Sequence, residues 1–154
     1  MCFSNCQSRP SWDDGRVPGQ DNDELVRAAA FRSELRRFLR RSEGAAAAVG
    51  LTPQRYDLLL QLKAAPEGYS TVTELGKRLH LRQTAVTELV KRAEEAGLVQ
   101  RRRSETDRRV FLLELTEDGD RRVTRVFNAL RRDRAAFARA FEQLDFRFRA
   151  TTRH

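Results

Sequence analysis

Residues Thr71 to Gly119 read TVTELGKRLHLRQTAVTELVKRAEEAGLVQRRRSETDRRVFLLELTEDG. Thr71 and Glu74 form a capping box: the threonine hydroxyl accepts from the third helical amide while the carboxylate reaches back to the Thr71 amide. Leu75 and Leu79 then share one face, His80 and Leu81 make a turn, and a second helix is expected from about Gln83 to Ala96. In that helix Val86, Leu89, Val90 and Ala93 recur three and four residues apart, a stripe that must be buried against the first helix. Gly97 follows as a left-handed cap.

The face opposite the stripe is polar. It carries Arg82, Gln83, Thr84, Thr87, Glu88, Lys91 and Arg92, with Ala85 among them. Gln, Thr and Arg near a helix N-terminus can reach base edges in a major groove wide enough to admit the helix. From Val99 to Arg103 and from Val110 to Leu115 the pattern is strand-like, with Phe111, Leu113 and Leu115 expected on one side. Between the strands, Ser104 to Arg109 is polar and short enough to be a hairpin tip. Val99 to Val110 holds five Arg against Glu105 and Asp107, a net of +3 that suits phosphates or a minor groove. Helix, turn, helix and basic hairpin in this order spell a winged helix-turn-helix, mainly α with a small β-hairpin wing.

The runs TVTELGKRL, TAVTELVKRAEEAGLVQRR and DRRVFLLELTEDG together closely resemble the MarR (multiple antibiotic resistance regulator) family of bacterial transcription factors. The resemblance extends from about Asp21 to Phe141 and is most specific at Asp107-Arg108-Arg109 and at Leu115-Thr116-Glu117-Asp118-Gly119. It implies a homodimer with long dimerisation helices that reads a pseudo-palindromic site on double-stranded DNA, most often as a repressor. The helix from Gln83 would lie in the major groove, Arg109 would enter the minor groove, and Asp107 would orient the wing tip. The candidate DNA-binding set is Arg82, Gln83, Thr84, Ala85, Thr87, Glu88, Arg92, Arg101, Asp107, Arg108 and Arg109. The family also commonly releases DNA on binding a small aromatic, often anionic effector. Phe38 and Tyr56 are the candidates to line such a pocket, and they suit plain core equally well. Two positions depart from the family pattern: His80 stands where a turn Gly is common, and Arg82 where a capping Ser is common. Losing a cap hydroxyl costs about 0.5–2 kcal/mol.

Around this unit the chain divides into four stretches. Residues 1–20 read as a flexible leader broken by Pro10, Gly15, Pro18 and Gly19. Residues 21–50 hold an N-terminal dimerisation helix, with Leu25, Ala28, Phe31, Leu35, Phe38 and Ser42 on one face to about Gly44, then a small-residue connector from Ala45. Residues 51–116 are the winged DNA-binding domain. There Thr52-Pro53 opens a helix with Tyr56, Leu59, Leu60 and Leu62 on its buried face, and a minimal strand around Ser70 to Val72 is expected to pair with the wing. Residues 117–154 form a C-terminal dimerisation helix and tail. Val123, Val126, Phe127, Leu130, Phe137, Phe141 and Leu144 trace one seam over about seven turns. The family's further C-terminal helix is expected to be short or missing, with Phe146 and Phe148 in a strand-like tail or short turn.

At 154 residues the chain makes one ordinary domain, and the net charge of +8 suits a polyanionic partner. Lys63, Lys77 and Lys91 are the only lysines, so 27 of the 30 cations are Arg, a bias that genomic base composition also produces. By segment the net is +1 for residues 1–50, zero for 51–70, +3 for 71–116 and +4 for 117–154. Position on the surface therefore matters more than total charge. No stretch approaches the roughly 18 apolar residues of a membrane span, and the N-terminus lacks the basic start and apolar core of a secretory signal. A cytoplasmic location is the default.

Cys2 and Cys6 are the only cysteines. Some members of the resembled family sense oxidants through a Cys near the first helix, so a thiol-based redox regulator is one alternative reading. No metal-ligand spacing is present, and no cofactor is expected. No nucleophile-and-base motif, phosphate-cradling Gly loop or carboxylate pair points to an enzyme. The rival from another class is a winged-helix protein-interaction module that binds no DNA, whose mark would be an acidic or apolar recognition face.

Overall fold

The structure, a computed structural model, describes residues 20–148 except Thr106 and Arg108. The expectations placed on the leader, on Cys2 and Cys6, and on Arg108 fall outside the described residues. In chain order the elements are α1 (Gln20–Ala47), α2 (Pro53–Lys63), β1 (Tyr69–Ser70), α3 (Val72–Leu79), α4 (Gln83–Glu95), β2 (Val99–Arg103), β3 (Phe111–Leu115), α5 (Glu117–Ala129) and α6 (Arg131–Phe148).

Local chemistry starts and stops the central helices. The Thr71 hydroxyl accepts from the Glu74 amide at 3.2 Å, and the Glu74 carboxylate accepts from the Thr71 amide at 2.9 Å. Ser70, buried at 1% exposure, adds its hydroxyl to the same carboxylate at 2.9 Å. These donors, the Thr71 amide first and the Ser70 hydroxyl second, hold the Glu74 carboxyl below its ordinary range. At the other end of α3, His80 takes the left-handed conformation at φ 54°, ψ 37°. The Leu81 amide then closes the turn on the Gly76 carbonyl at 3.0 Å. A histidine thus serves where glycine is freer, because its side chain stands in solvent and meets no packing conflict.

α4 begins at Arg82, whose side chain makes no capping hydrogen bond. Its far end turns through Gly97 at φ 68°. Val86, Val90 and Ala93 are fully buried, and Leu89 is partly so. They meet Leu58, Leu59, Leu62 and Leu75 in a core that continues through Leu98 and Leu113 to Val123 and Val126. That cluster is contiguous from α2 to α5, and burying each such aliphatic side chain contributes about 1.5–3 kcal/mol.

The three strands form an antiparallel sheet in the order β1-β3-β2. Val99 faces Leu115 and Arg103 faces Phe111, which fixes the hairpin register, while Tyr69 faces Glu114 on the other edge. Two strand expectations are corrected. The minimal strand covers Tyr69–Ser70 and not Ser70 to Val72, because Thr71 is taken as the cap and Val72 as the first helical residue. Phe111 is 44% exposed while both Leu112 and Leu113 are buried, so strict alternation fails. β3 is the middle strand with neighbours on both edges, and it shields apolar residues on either face.

α1 runs three residues beyond Gly44 to Ala47, since alanine is the best helix former and Ala46 finds a fully buried site. α1 packs chiefly along α6: Phe38 stacks on Phe137 with ring centroids 5.2 Å apart, and Phe31 meets Phe141 at 5.9 Å. The single seven-turn helix expected from Thr116 is in fact two, broken at Leu130. There Arg134 bends back over the Phe127 ring, 3.6 Å from its centroid, and donates to the Phe127 carbonyl that an unbroken helix would offer to the Arg131 amide. Leu130, 2% exposed, turns into the core at the break. The expectation of a short or missing C-terminal helix is also corrected, because α6 is 18 residues long and carries its backbone helix through Phe146 and Phe148. No Gly or Pro interrupts that stretch. No described helix is long and apolar enough to cross a membrane.

Candidate nucleic-acid interface

The outer face of α4 is set by the inner one. With Val86, Val90 and Ala93 anchored at zero exposure, Arg82, Gln83, Thr84, Ala85, Thr87, Glu88, Lys91 and Arg92 all stand exposed. Thr87 donates its hydroxyl to the Gln83 carbonyl at 2.9 Å, which leaves the hydroxyl oxygen free to accept. A cleft of about 450 Å³ separates this face from the start of α2, lined by Thr52, Gln54 and Arg55 on one side and Leu81, Ala85, Glu88, Leu89 and Arg92 on the other. Arg55 spans it, donating to the Arg92 carbonyl at 3.4 Å. Arg55 was not picked out in the sequence, since nothing in the α2 pattern ties it to a helix 37 residues away.

The wing is closed by its own main chain. Ser104 donates to the Val110 carbonyl at 3.0 Å, and Val110 donates to the Asp107 carbonyl at 2.9 Å. The Asp107 carboxylate accepts the Arg109 backbone N–H at 2.9 Å. The tip is therefore held by an aspartate turn, and the Arg109 side chain leaves it into solvent.

The wing arginines divide into two groups. Arg101 is joined to Glu94 of α4 at 2.8 Å. Arg102 lies 3.4 Å from Glu114 and 4.9 Å above the Tyr69 ring. Gln100 holds the other Glu114 oxygen at 3.0 Å. Arg103 lies over Phe111 at 5.8 Å. Among the described residues neither Arg103 nor Arg109 has a carboxylate partner. The structure thus gathers the candidates from Arg82 to Arg92 on one helix face and sets Asp107 and Arg109 at the adjacent hairpin tip, while Arg101 faces the helix.

The wing is tied to the helix that follows it. The Thr116 amide donates to the Leu98 carbonyl at 3.1 Å and its hydroxyl to the Gly97 carbonyl at 2.7 Å, while the same hydroxyl caps α5 by accepting from Gly119 at 3.1 Å. A Cβ on Gly119 would stand 2.0 Å from the Leu98 carbonyl oxygen, so this position admits glycine alone.

Tyr56 is buried within the subunit and Phe38 is half-buried. Phe38 stacks on Phe137, and Tyr56 is 5% exposed. Burial raises the Tyr56 phenol above its ordinary value, partly offset by Arg134, and burial alone raises the neighbouring Asp57 carboxyl. An apolar cleft of about 440 Å³ lies elsewhere along α2 and α5, between Leu60, Lys63 and Ala64 on one helix and Val123, Thr124, Phe127 and Asn128 on the other.

The MarR family model matches residues 49–110, from the end of α1 to the close of the wing. The chain is 47% identical over 49 residues to the organic hydroperoxide resistance transcriptional regulator of Bacillus subtilis (strain 168), covering 32% of this chain and 33% of the relative. It is 37% identical over 71 residues to the HTH-type transcriptional repressor MdtR of the same organism, covering 46% and 44%. The matched stretches therefore span less than half the length of these curated relatives. The fold as a whole is similar to that of a mutant Escherichia coli MarR crystallised with operator DNA, at a TM-score of 0.65 and 18% identity, over 87% of this chain and 99% of that one. The winged core, with its capped α3, its exposed α4 face and its aspartate-pinned hairpin, is the part of the chain that the MarR family model matches, and the chain as a whole shares its fold with the E. coli MarR structure.

Proposed function

We propose that the protein is a transcriptional regulator that binds double-stranded DNA as a homodimer, seating α4 in the major groove and Arg109 in the minor groove beside it. The observation that carries this reading is the two-sidedness of α4. Val86, Val90 and Ala93 are at zero exposure, and every residue from Arg82 to Ala85 is open to solvent beside a wing whose free cations lie at the tip. A face of Gln, Thr and Arg suits base edges and phosphates, and it lacks the acidic or apolar surface that a protein-docking winged helix would present. Operator DNA in the similarly folded E. coli MarR structure supports DNA as the partner.

Two finer statements belong to the proposal. Leu25, Val26, Leu39 and Phe141 are 48% to 68% exposed on α1 and α6, an apolar surface that a second copy would cover. Repression is supported by the name of the MdtR relative, and release by a small aromatic acid is the control that the family resemblance implies. The test is an electrophoretic titration of the full chain against the DNA upstream of its own gene, with and without salicylate. A discrete shifted band, weakened by salicylate, is the expected result, and absence of any shift at micromolar protein contradicts DNA binding.

A further inference from the structure

Glu94 and Arg101 stand seven residues apart across the Gly97 turn, one in the last turn of α4 and the other in β2. Their side chains meet at 2.8 Å and are only 27% and 35% exposed. A carboxylate in the last turn of a helix faces the negative end of the helix dipole, which disfavours it unless a cation answers. Arg101 is that cation. On the facing strand β3, Glu114 takes Arg102 and Gln100 in the same manner. The base of the wing is thereby electrically closed, and the tip is open.

We propose that Glu94 is a specificity-determining residue: by holding Arg101 it withholds one cation from the DNA backbone, limiting sequence-independent affinity while fixing the angle between wing and reading helix. This rests on the DNA-binding reading above. Arg101 is then a positioning residue, and the phosphate contacts of the wing come from Arg103 and Arg109. Releasing Arg101 adds a backbone contact that carries no sequence information, because phosphate contacts are the same at every site.

The test is the salt dependence of binding to a random-sequence DNA duplex, read by fluorescence anisotropy with the full chain. Each phosphate neutralised contributes about 0.9 to the slope of log K against log salt concentration. Glu94→Gln is expected to raise affinity for this duplex a few-fold at low salt and to steepen the slope by about 0.9. Arg101→Ala leaves the slope as it is, and Glu94→Gln with Arg101→Ala returns it to that of the unaltered chain. A loss of slope in Arg101→Ala equal to that in Arg109→Ala overturns the proposal, as does an unchanged slope in Glu94→Gln. No binding by the unaltered chain, even at low salt, instead overturns the DNA-binding reading itself.

Discussion

The Asp107 carboxylate accepts the backbone N–H of Arg109 at 2.9 Å, so an acidic side chain fixes the main chain from which the exposed wing arginine departs. Arg109→Ala removes a contact to DNA and is expected to lower the salt slope of binding by about 0.9. Asp107→Ala keeps the cation but frees the tip, so affinity falls while the slope stays. An Asp107→Ala variant with unaltered affinity would show that the tip needs no fixing.

Gly119 lies against the Leu98 carbonyl, and a methyl group there has nowhere to go but into backbone. Gly119→Ala is therefore expected to cost about 3 kcal/mol, the upper end of what overpacking costs, seen as a lower urea midpoint. Because Thr116 bonds to both Gly97 and Leu98, the same variant should weaken DNA binding beyond its effect on folding. A midpoint equal to that of the unaltered chain would mean that the junction yields easily.

Glu74 carries a pH dependence whose sign follows from its partners. Its folded-state value is depressed by the Thr71 amide and the Ser70 hydroxyl, so its contribution is complete above the unfolded value and is lost as pH falls through the folded one. Urea unfolding from neutral pH down to about pH 3 should show a smaller acid loss in Glu74→Gln than in the unaltered chain. Thr71→Ala should cost about 1 kcal/mol at neutral pH. Identical acid profiles would contradict the role given to this carboxylate.

Much of the winged unit was legible in the sequence because its signals are local. The capping box and the turn at His80 are each settled within about one helical turn, and the leucine-valine stripe of α4 within about two. The break at Leu130 was not legible, since Val126, Phe127 and Leu130 run on to Phe137 and Phe141 in helical spacing with no Gly or Pro between them. It is accompanied by a contact from the Arg134 side chain to the Phe127 carbonyl that the spacing does not announce. In the same way Arg101 reads as one more basic wing residue until the turn at Gly97 brings it beside Glu94. Spacing along the chain records which face a residue lies on, and it does not record which partner waits there.

Leu25 and Leu39 are exposed at 68% and 48% on α1. If a second copy covers them, Leu25→Glu with Leu39→Glu should raise the dimer dissociation constant at least about a hundredfold, at roughly 1.5 kcal/mol or more for each side chain no longer buried. Light scattering at micromolar concentration reads this directly. A monomeric unaltered chain would remove the dimer.

The central claim is that the α4 face and the wing tip touch DNA. Amide hydrogen exchange on the full chain, with and without duplex DNA from upstream of its own gene, tests it most directly. Slowed exchange concentrated between residues 82 and 92 and between 103 and 110 is the predicted result. Protection confined to α5 and α6, with the α4 face and the hairpin unchanged, would contradict it.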